Sequence, residues 1–179
     1  MGKSRNAESI TMDERWQVTR VAWGWCGLKR TEHGMTRVSL PVATRAEAEA
    51  AVDAHGGTAA DDALLREVAG LLAAHFAGRP VRFEVTLDLR GMGEFGRSVL
   101  AACARIPWGR TATYGELALA VGRPGAARAV GQALGRNPLP VVIPCHRVIG
   151  ADGRLVGFGS GVAMKRRLLE HEGVDLTAS

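Results

Sequence analysis

Two short helical segments separated by a four-residue turn constrain the fold of this chain more than any other feature. Thr113 and Glu116 form a Thr-x-x-Glu capping box, in which each side chain satisfies a free backbone amide at the start of a helix. The turn Gly122–Gly125 breaks that helix, and a second helix is predicted over Ala126–Leu134 before Gly135 ends it. A helix, a short glycine-containing turn and another helix are typical of a helix-turn-helix unit, which the sequence therefore predicts.

The second helix of this pair is rich in alanine and glycine. Ala126, Ala127 and Gly131 leave little side-chain bulk, and Arg128 and Gln132 supply its polar side chains. One interpretation is a small-residue helix packed tightly inside the core. The other is a helix whose backbone lies close to DNA while one arginine projects, and the basic surroundings favour this second interpretation.

The net positive charge of the chain comes entirely from its second half. The net charge of the 179 residues is +5, but residues 1–90 carry twelve basic and twelve acidic side chains. Residues 91–179 carry eleven basic against six acidic side chains, which indicates nucleic-acid contact there, although solvated surface arginines would give the same balance. With 46% hydrophobic and 23% charged residues, the composition is globular and excludes wholesale disorder.

The sequence indicates a cytoplasmic protein with reduced thiols. No apolar run approaches the ~20 residues that a membrane-spanning helix needs, so no membrane partner is expected. The polar N-terminus lacks the apolar segment of a secretory signal. Cys26, Cys103 and Cys145 are too few for a disulfide framework, and in the cytosol such thiols stay reduced.

The first half of the chain predicts a small α+β unit that follows a disordered tail over residues 1–12. Two β-rich stretches, Trp16–Cys26 and Met35–Leu40, predict a hairpin. The Ala/Glu-rich stretch Ala46–Ala54 predicts one helix. Apolar residues at helical spacing from Leu64 to Phe76 predict a second, which is capped by Asp61 or Asp62 and stopped by Gly78 with Pro80.

The alternation of apolar and polar side chains over Val81–Leu89 predicts the clearest strand of the chain. We place an N-terminal domain at residues 13–90 and a linker at 91–93, where two glycines flank a methionine. A mostly helical C-terminal domain then covers residues 94–179. It contains the predicted helix-turn-helix.

A cysteine and a histidine follow an apolar run that lies between prolines. The prolines exclude a helix, so Leu139–Ile143 is predicted to be a short buried strand or extended segment that ends before Pro144. A free thiol has a pKa of ~8.5, so Cys145 needs help to ionise; His146 can act as its base and Arg147 can supply a favourable field. Adjacent side chains of an extended segment point to opposite faces, so a turn or a water is required between thiol and imidazole.

Each of these candidate residues also has a plainer interpretation. A free cysteine is usually a small core residue, which fits Cys26 and Cys103 better than Cys145. A third group should orient the histidine, and Glu172 follows a basic amphipathic helix predicted over Met164–His171. A carboxylate at a helix end is more often simply solvated.

The motifs of the second half, taken in order, resemble the O6-alkylguanine-DNA alkyltransferases, also called methylated-DNA–protein-cysteine methyltransferases. The resemblance runs from about Phe95 to Gly173, and its Pro-Cys-His-Arg core is highly specific. The motifs that carry it are Ile106-Pro107-Trp108-Gly109, Thr113-Tyr114-Gly115-Glu116, Ala126-Ala127-Arg128-Ala129-Val130-Gly131, Asn137-Pro138, Pro144-Cys145-His146-Arg147-Val148-Ile149 and His171-Glu172-Gly173.

This resemblance implies a single-turnover repair enzyme that accepts the alkyl group of a flipped guanine on Cys145. His146 would activate the thiol through a water, and Glu172 would orient His146. Asn137 would brace the turn before the cysteine, and Tyr114 would help rotate the nucleotide and protonate guanine O6. For the first half, the family implies a ribonuclease-H-like α/β domain.

The resemblance also implies the partner and the surfaces that contact it. The expected partner is double-stranded DNA containing O6-methylguanine, with O4-methylthymine as a further candidate; a monomer is expected, with cooperative binding along DNA left open. No cofactor and no metal are expected, because Cys26, His33 and His75 lack paired ligand spacing. Arg128 would fill the vacated base stack, and the other expected DNA contacts are Ala126, Ala127, Gly131, Thr113, Gln132 and Arg147. The substrate pocket would be lined by Tyr114, Leu134, Val148, Val156, Gly157, Phe158, Gly159 and Ser160.

Two alternatives differ from this function in class. A Cys-His enzyme of acyl transfer or hydrolysis would use the same nucleophile, but it would not explain the helix-turn-helix. A sensor that recognises alkylated DNA without transfer would explain the helix-turn-helix, but such sensors replace the cysteine, so Cys145 argues against it.

Overall fold

The computed structural model describes residues 13–176 as a mixed α+β structure. The disordered tail predicted for residues 1–12 lies outside the described residues. The strands are β1 (Arg15–Val21), β2 (Gly24–Thr31), β3 (Gly34–Val38), β4 (Thr58–Ala59), β5 (Ala112–Thr113) and β6 (Val148–Ile149). The helices are α1 (Arg45–Ala51), α2 (Ala63–Phe76), α3 (Glu94–Ala104), α4 (Tyr114–Ala120), α5 (Ala127–Gly135) and α6 (Val162–His171).

The first half is a four-stranded sheet in the order β3-β2-β1-β4, in which β4 runs parallel to β1. The predicted hairpin is present as the antiparallel pair of β2 and β3, but its bounds were wrong, because a turn divides Trp16–Cys26 into β1 and β2 and β2 continues to Thr31. Gly24 has a φ of 140°, and a Cβ there would lie 2.2 Å from the carbonyl oxygen of Val42. The turn therefore depends on a glycine with close backbone contact, which periodicity alone does not reveal.

The predicted strand over Val81–Leu89 is extended but does not form a ladder. Its apolar side chains are half-buried and its alternate residues up to Thr86 are exposed, so the predicted alternation of faces is present. Among residues 13–176, its pairing is limited to an isolated bridge between Leu87 and Met35, in which the Met35 amide donates to Thr86 O at 2.9 Å and the Asp88 amide donates to Met35 O at 2.8 Å. Alternation determines which side of an extended segment packs, whereas a strand also needs a neighbour along its whole length.

The helices of the first half follow the predicted order with changed ends. Helix α1 is shorter than Ala46–Ala54, and a separate 3₁₀ turn covers Ala54–Gly56. Asp62 caps α2, since its carboxylate accepts a hydrogen bond from the Leu65 amide at 3.1 Å. Of the two predicted caps, Asp62 is therefore the one that forms.

In the second half, α4 and α5 are the predicted pair of helices. Thr113 and Glu116 form the predicted capping box, with both reciprocal hydrogen bonds present. Helix α5 begins at Ala127 and ends with Gly135, one residue later at each end than predicted. Strands β5 and β6 form a short parallel pair, which brings the residues after Cys145 next to the start of α4.

One continuous cluster of buried apolar side chains extends through both halves of the chain. The halves also meet through direct contacts: the Val38 amide donates to Pro138 O at 3.0 Å, and the guanidinium of Arg167 lies 3.9 Å from the ring centroid of Trp23. The domain boundary at 91–93 stays a prediction. Within residues 13–176, every helix is too short or too polar to cross a membrane.

Candidate active site

The segment that leads to Cys145 is a turn, so the predicted strand over Leu139–Ile143 was wrong. The Ile143 amide donates to Leu139 O at 2.8 Å, and Val141 has a φ of 73°. A β-branched residue in the left-handed region costs roughly 1–3 kcal/mol and persists only where its surroundings enforce it. Cys145 therefore follows a closed, strained turn and not the end of a strand.

Asn137 holds this turn closed and contacts the cysteine directly. Its Nδ2 donates to Ile143 O at 2.9 Å and to Cys145 Sγ at 3.2 Å, while its Oδ1 accepts from the Leu139 amide at 3.0 Å. One amide side chain thus satisfies three partners. The structure is consistent with the bracing role that was expected of Asn137, and the contact with sulfur adds a hydrogen bond that favours the thiolate.

A single 3₁₀ turn over Cys145–Arg147 separates the side chains that the linear sequence places side by side. Consecutive side chains of a 3₁₀ helix differ by about 120° around its axis. Cys145 keeps 9% of its surface exposed and lines a cavity, whereas the side chain of His146 is fully buried. The turn therefore gives the thiol to the cavity and the imidazole to the interior.

Glu172 is the centre of a buried network behind the cysteine. His146 Nε2 lies 2.8 Å from Glu172 Oε1, and Arg147 donates from Nε to Oε2 at 2.8 Å and from Nη2 to Oε1 at 2.9 Å. The Gly109 amide donates to Oε2 at 3.4 Å, and Arg147 Nη1 donates to Ile106 O. The solvated-carboxylate interpretation of Glu172 is wrong, because its side chain is fully buried.

The electrostatics of this network favour a carboxylate beside a neutral imidazole. Burial alone raises the pKa of Glu172, but the hydrogen bonds from His146 and Arg147 outweigh it and lower that pKa to about 2. Burial lowers the pKa of His146 against the opposing effect of Glu172. A neutral His146 whose Nε2–H donates to Glu172 leaves Nδ1 as a proton acceptor, and within residues 13–176 no protein group hydrogen-bonds that atom.

Cys145 rests as a thiol. Burial raises its pKa, with the hydrogen bond from Asn137 and the charge of Lys165 acting in the opposite direction. A thiol is a weak nucleophile, so the arrangement needs a base at the moment of reaction. Within the described residues, Nδ1 of His146 is the acceptor that the network leaves unoccupied by protein groups.

A cavity of about 470 Å³ opens in front of the cysteine. It lies between α5 and the loop before α6, which contributes its two glycines and a serine as one wall. Its lining comprises Leu40, Tyr114, Arg128, Gly131, Gln132, Leu134, Gly135, Asn137, Pro140, Cys145, Val156, Gly157, Phe158, Gly159 and Ser160. A planar ligand of base size fits such a volume.

Two predicted site residues lie elsewhere. Arg147 was expected to contact DNA, but its side chain is 7% exposed and binds Glu172 and the Ile106 carbonyl. Val148 was expected to line the pocket, but it is fully buried and pairs with Ala112 in the β5–β6 ladder. The 3₁₀ turn directs both side chains into the interior. The predicted extended segment did not indicate this direction.

The surface of α5 has the distribution that was expected of a DNA-contacting helix. Arg128 and Gln132 lie at the cavity mouth, and Ala126 and Ala127 are half-buried. A Cβ on Gly131 would lie 3.6 Å from the ring of Tyr114, so this position brings helix and tyrosine into close contact. Thr113 is half-buried and caps α4. Their contact with DNA stays a prediction.

Lys165 is a site residue that the sequence did not reveal; its side chain is fully buried behind Tyr114 and Val156, which line the cavity. Its Nζ donates to Val156 O at 2.9 Å and lies 3.5 Å from the hydroxyl of Tyr114, which itself donates to Val156 O at 2.9 Å. Burial lowers the pKa of Lys165 to about 8. The helix predicted over Met164–His171 is amphipathic, and its spacing could have flagged Lys165 on the apolar face.

Three comparisons place this site among known proteins. The family model described as "6-O-methylguanine DNA methyltransferase, DNA binding domain" matches residues 94–174. A methylated-DNA–protein-cysteine methyltransferase of Methanosarcina acetivorans is 48% identical over 113 residues, which are 63% of this chain and 72% of that protein. The chain belongs to the methylated-DNA–protein-cysteine methyltransferase family.

The similarity to this family is unevenly distributed. A methyltransferase of the same name from Mycobacterium tuberculosis is 54% identical over 101 residues, 56% of this chain and 61% of that protein. The crystal structure of the Mycobacterium tuberculosis O6-methylguanine methyltransferase is 38% identical with a TM-score of 0.72, and it covers 89% of this chain and 92% of its own. A structure titled Mycobacterium tuberculosis OGT in complex with DNA has a TM-score of 0.73 at 38% identity, covering 88% of this chain and 92% of its own. The fold similarity thus includes the first half, whereas the family model matches the second half alone.

Across residues 13–176, no three His, Cys, Asp or Glu side chains are grouped so that they could hold a metal ion. Burial raises the pKa of Cys26 to about 12, and Cys103 is likewise fully buried, so both fit the interpretation as core residues.

Proposed function

We propose that this protein repairs O6-alkylguanine in DNA by moving the alkyl group irreversibly to Cys145. The observation that carries the proposal is the division at the 3₁₀ turn, with a thiol on the wall of a base-sized cavity and His146–Glu172 buried behind it. Membership of the methyltransferase family supports it, as do the names of the similar relatives and the family model that matches residues 94–174. O6-methylguanine is the lesion proposed, with O4-methylthymine as a further candidate.

The reaction is a displacement at the alkyl carbon. The sulfur of Cys145 forms a bond to that carbon while the bond from carbon to guanine O6 breaks, and the thiol proton passes to His146 Nδ1 through a water. The imidazolium that forms is stabilised by Glu172 at 2.8 Å. The guanine takes a proton from the Tyr114 hydroxyl, and the thioether on Cys145 has no easy chemical exit, so each molecule acts once.

Tyr114 must exchange a hydrogen-bond partner to take this part. Its hydroxyl donates to Val156 O, and Lys165 Nζ donates to the same carbonyl. Val156 O therefore keeps a donor when Tyr114 turns to the substrate. Lys165, 3.5 Å from the tyrosine oxygen, is also placed to stabilise the phenolate that proton donation would leave.

DNA is the proposed partner, bound through α4 and α5 as a helix-turn-helix in the minor groove. A base inside a duplex is out of reach, so the damaged nucleotide is extruded at a cost of a few kcal/mol. The alanines and Gly131 let the backbone approach, and Arg128 fills the gap. A ribonuclease-H-like first half, a monomeric state and a cytoplasmic location complete the proposal, and the relative solved with DNA supports the choice of partner.

Intact mass spectrometry tests the proposal. One equivalent of duplex containing O6-methylguanine should add one methyl mass to the protein and leave unmodified guanine. A second equivalent should add nothing. Sustained turnover, or binding without any gain of mass, would overturn it.

A further inference from the structure

A cluster of aromatic rings lies behind the His146–Glu172 pair, and the first half of the chain supplies its centre. That centre is His75, with ring centroids 4.9 Å from Phe76, 4.9 Å from Trp108, 5.7 Å from His171 and 6.5 Å from His146. The side chain of His75 is fully buried. This ring is therefore the point at which α2 meets the interior side of the candidate active site.

His75 contacts the buried network at two places. Its ring meets that of His146 edge to face, at an interplanar angle of 76°. Its backbone carbonyl lies 2.7 Å from His171 Nε2, and His171 immediately precedes Glu172. One residue of α2 thus fixes the ring that receives the proton and the end of α6 that carries the carboxylate.

The contribution of His75 is the shape of its ring. Within residues 13–176, neither ring nitrogen has a hydrogen-bond partner. Burial lowers the pKa of His75 to about 3, with Glu172 opposing the shift and His146, His171 and Arg147 adding to it. The ring is therefore neutral at physiological pH, and a neutral ring adds no repulsion when the neighbouring imidazole gains a proton.

We propose that His75 is a positioning residue that holds His146 against Glu172 and so keeps Nδ1 as the proton acceptor for Cys145. The first half of the chain thereby supports the proton-transfer groups from behind. The biological meaning of this inference depends on the proposed alkyl transfer, whereas the experiment that tests it does not.

The test compares His75→Ala, which removes the ring, with His75→Phe, which keeps its shape without the nitrogens. Leu72→Ala is the matched control, since Leu72 is fully buried one turn earlier in α2. Two quantities are measured below the unfolding temperature of each variant: the ¹⁵N shifts of His146 and the pH profile of Cys145 labelling by iodoacetamide. Cys26 and Cys103 are fully buried and contribute little labelling.

His75→Ala should move the His146 ¹⁵N shifts, raise the midpoint of the labelling profile and slow methyl transfer by up to ~10²-fold. His75→Phe and Leu72→Ala should keep the wild-type shifts and midpoint. An unchanged midpoint in His75→Ala, or the same change in Leu72→Ala, would overturn the positioning role. Failure of wild-type protein to take a methyl group from DNA would instead refute the proposed function, because labelling and ¹⁵N shifts need no DNA.

Discussion

The two sides of the 3₁₀ turn at Cys145 differ in almost every physical respect. The outer side is a cavity whose wall carries glycines, a serine and polar side chains from α5. The inner side is a buried network in which His146, Arg147 and Glu172 have fixed partners. The difference shows how one tripeptide can present a thiol to a cavity and still keep the neighbouring imidazole away from bulk water.

Replacement of Cys145 should separate binding of the lesion from methyl transfer more completely than any other change. Cys145→Ala should abolish methyl transfer while it leaves lesion binding intact, because the cavity and α5 keep their shape. Gel shift with O6-methylguanine duplex and intact mass spectrometry measure the two properties. Cys26→Ala and Cys103→Ala are the controls and should still transfer one methyl group; transfer by the Cys145 variant would remove that residue from the chemistry.

Glu172→Gln changes the buried network on the inner side and does not alter a residue that lines the cavity. An amide cannot stabilise the imidazolium as a carboxylate does, so single-turnover transfer should slow by ~10²–10⁴-fold. Glu170→Gln is the control, since Glu170 is exposed and forms a 3.7 Å surface pair with Arg166. Equal rates for both variants and wild type would return Glu172 to a structural role.

The same variant changes how stability depends on pH. The folded pKa of Glu172, about 2, lies below its ordinary value, so its contribution is present above pH ~4.5 and lost as pH falls towards 2. Burial lowers the pKa of His75 and His146 too, which makes stability fall as pH drops below ~6.5. In urea titrations, Glu172→Gln should flatten the slope between pH 4.5 and 2 and leave the slope above it.

The sequence predicted these two sides unequally. The outer side follows from local signals: the capping box at Thr113, the alanine-rich α5 and the loop at 156–160 lie where they were expected. The inner side depends on the direction in which Arg147 and Val148 leave the 3₁₀ turn. That direction is set by the turn and by Asn137, which bonds to residues six and eight positions away.

In the first half, the errors share a physical cause. Alternation over Val81–Leu89 correctly gave the packed face, but the bridge to Met35 is isolated and no ladder follows it. Nothing in the local sequence states which neighbour a strand finds. The local sequence also does not show that the turn before Gly24 packs against the carbonyl of Val42. Nor does it show that the ring of His75 packs against His146, which lies far along the chain.

Lys165 links the two sides, because it supports the cavity loop from the buried face of α6. Lys165→Met should slow transfer by about tenfold, since the Val156 carbonyl and Tyr114 lose a shared donor. The folded pKa of about 8 lies below the ordinary lysine value, so the unfolded chain binds more protons between pH ~8 and 10.5 and stability rises with pH there. That rise should vanish in Lys165→Met; a rise that persists would assign it to another group.

Replacement of Arg128 has the smallest expected effect on the repair rate, and it tests the outer side of the turn alone. Arg128 lies at the cavity mouth on a helix that is otherwise mainly alanine and glycine. An arginine that inserts into the base stack matters most where the lesion is well paired and costly to extrude. Arg128→Ala should therefore slow repair of a fully paired duplex more than repair of a mismatched or single-stranded lesion, in single-turnover rates at saturating protein.

A phosphate contact would behave differently. Arg123, exposed in the turn before α5, is the matched control. Arg123→Ala should weaken binding to every duplex alike and reduce the salt dependence by roughly one contact, without a difference between the three substrates. If Arg128→Ala gives that same uniform loss, it belongs to the general basic surface, and the extruded nucleotide must be replaced in the stack by another group at the cavity mouth.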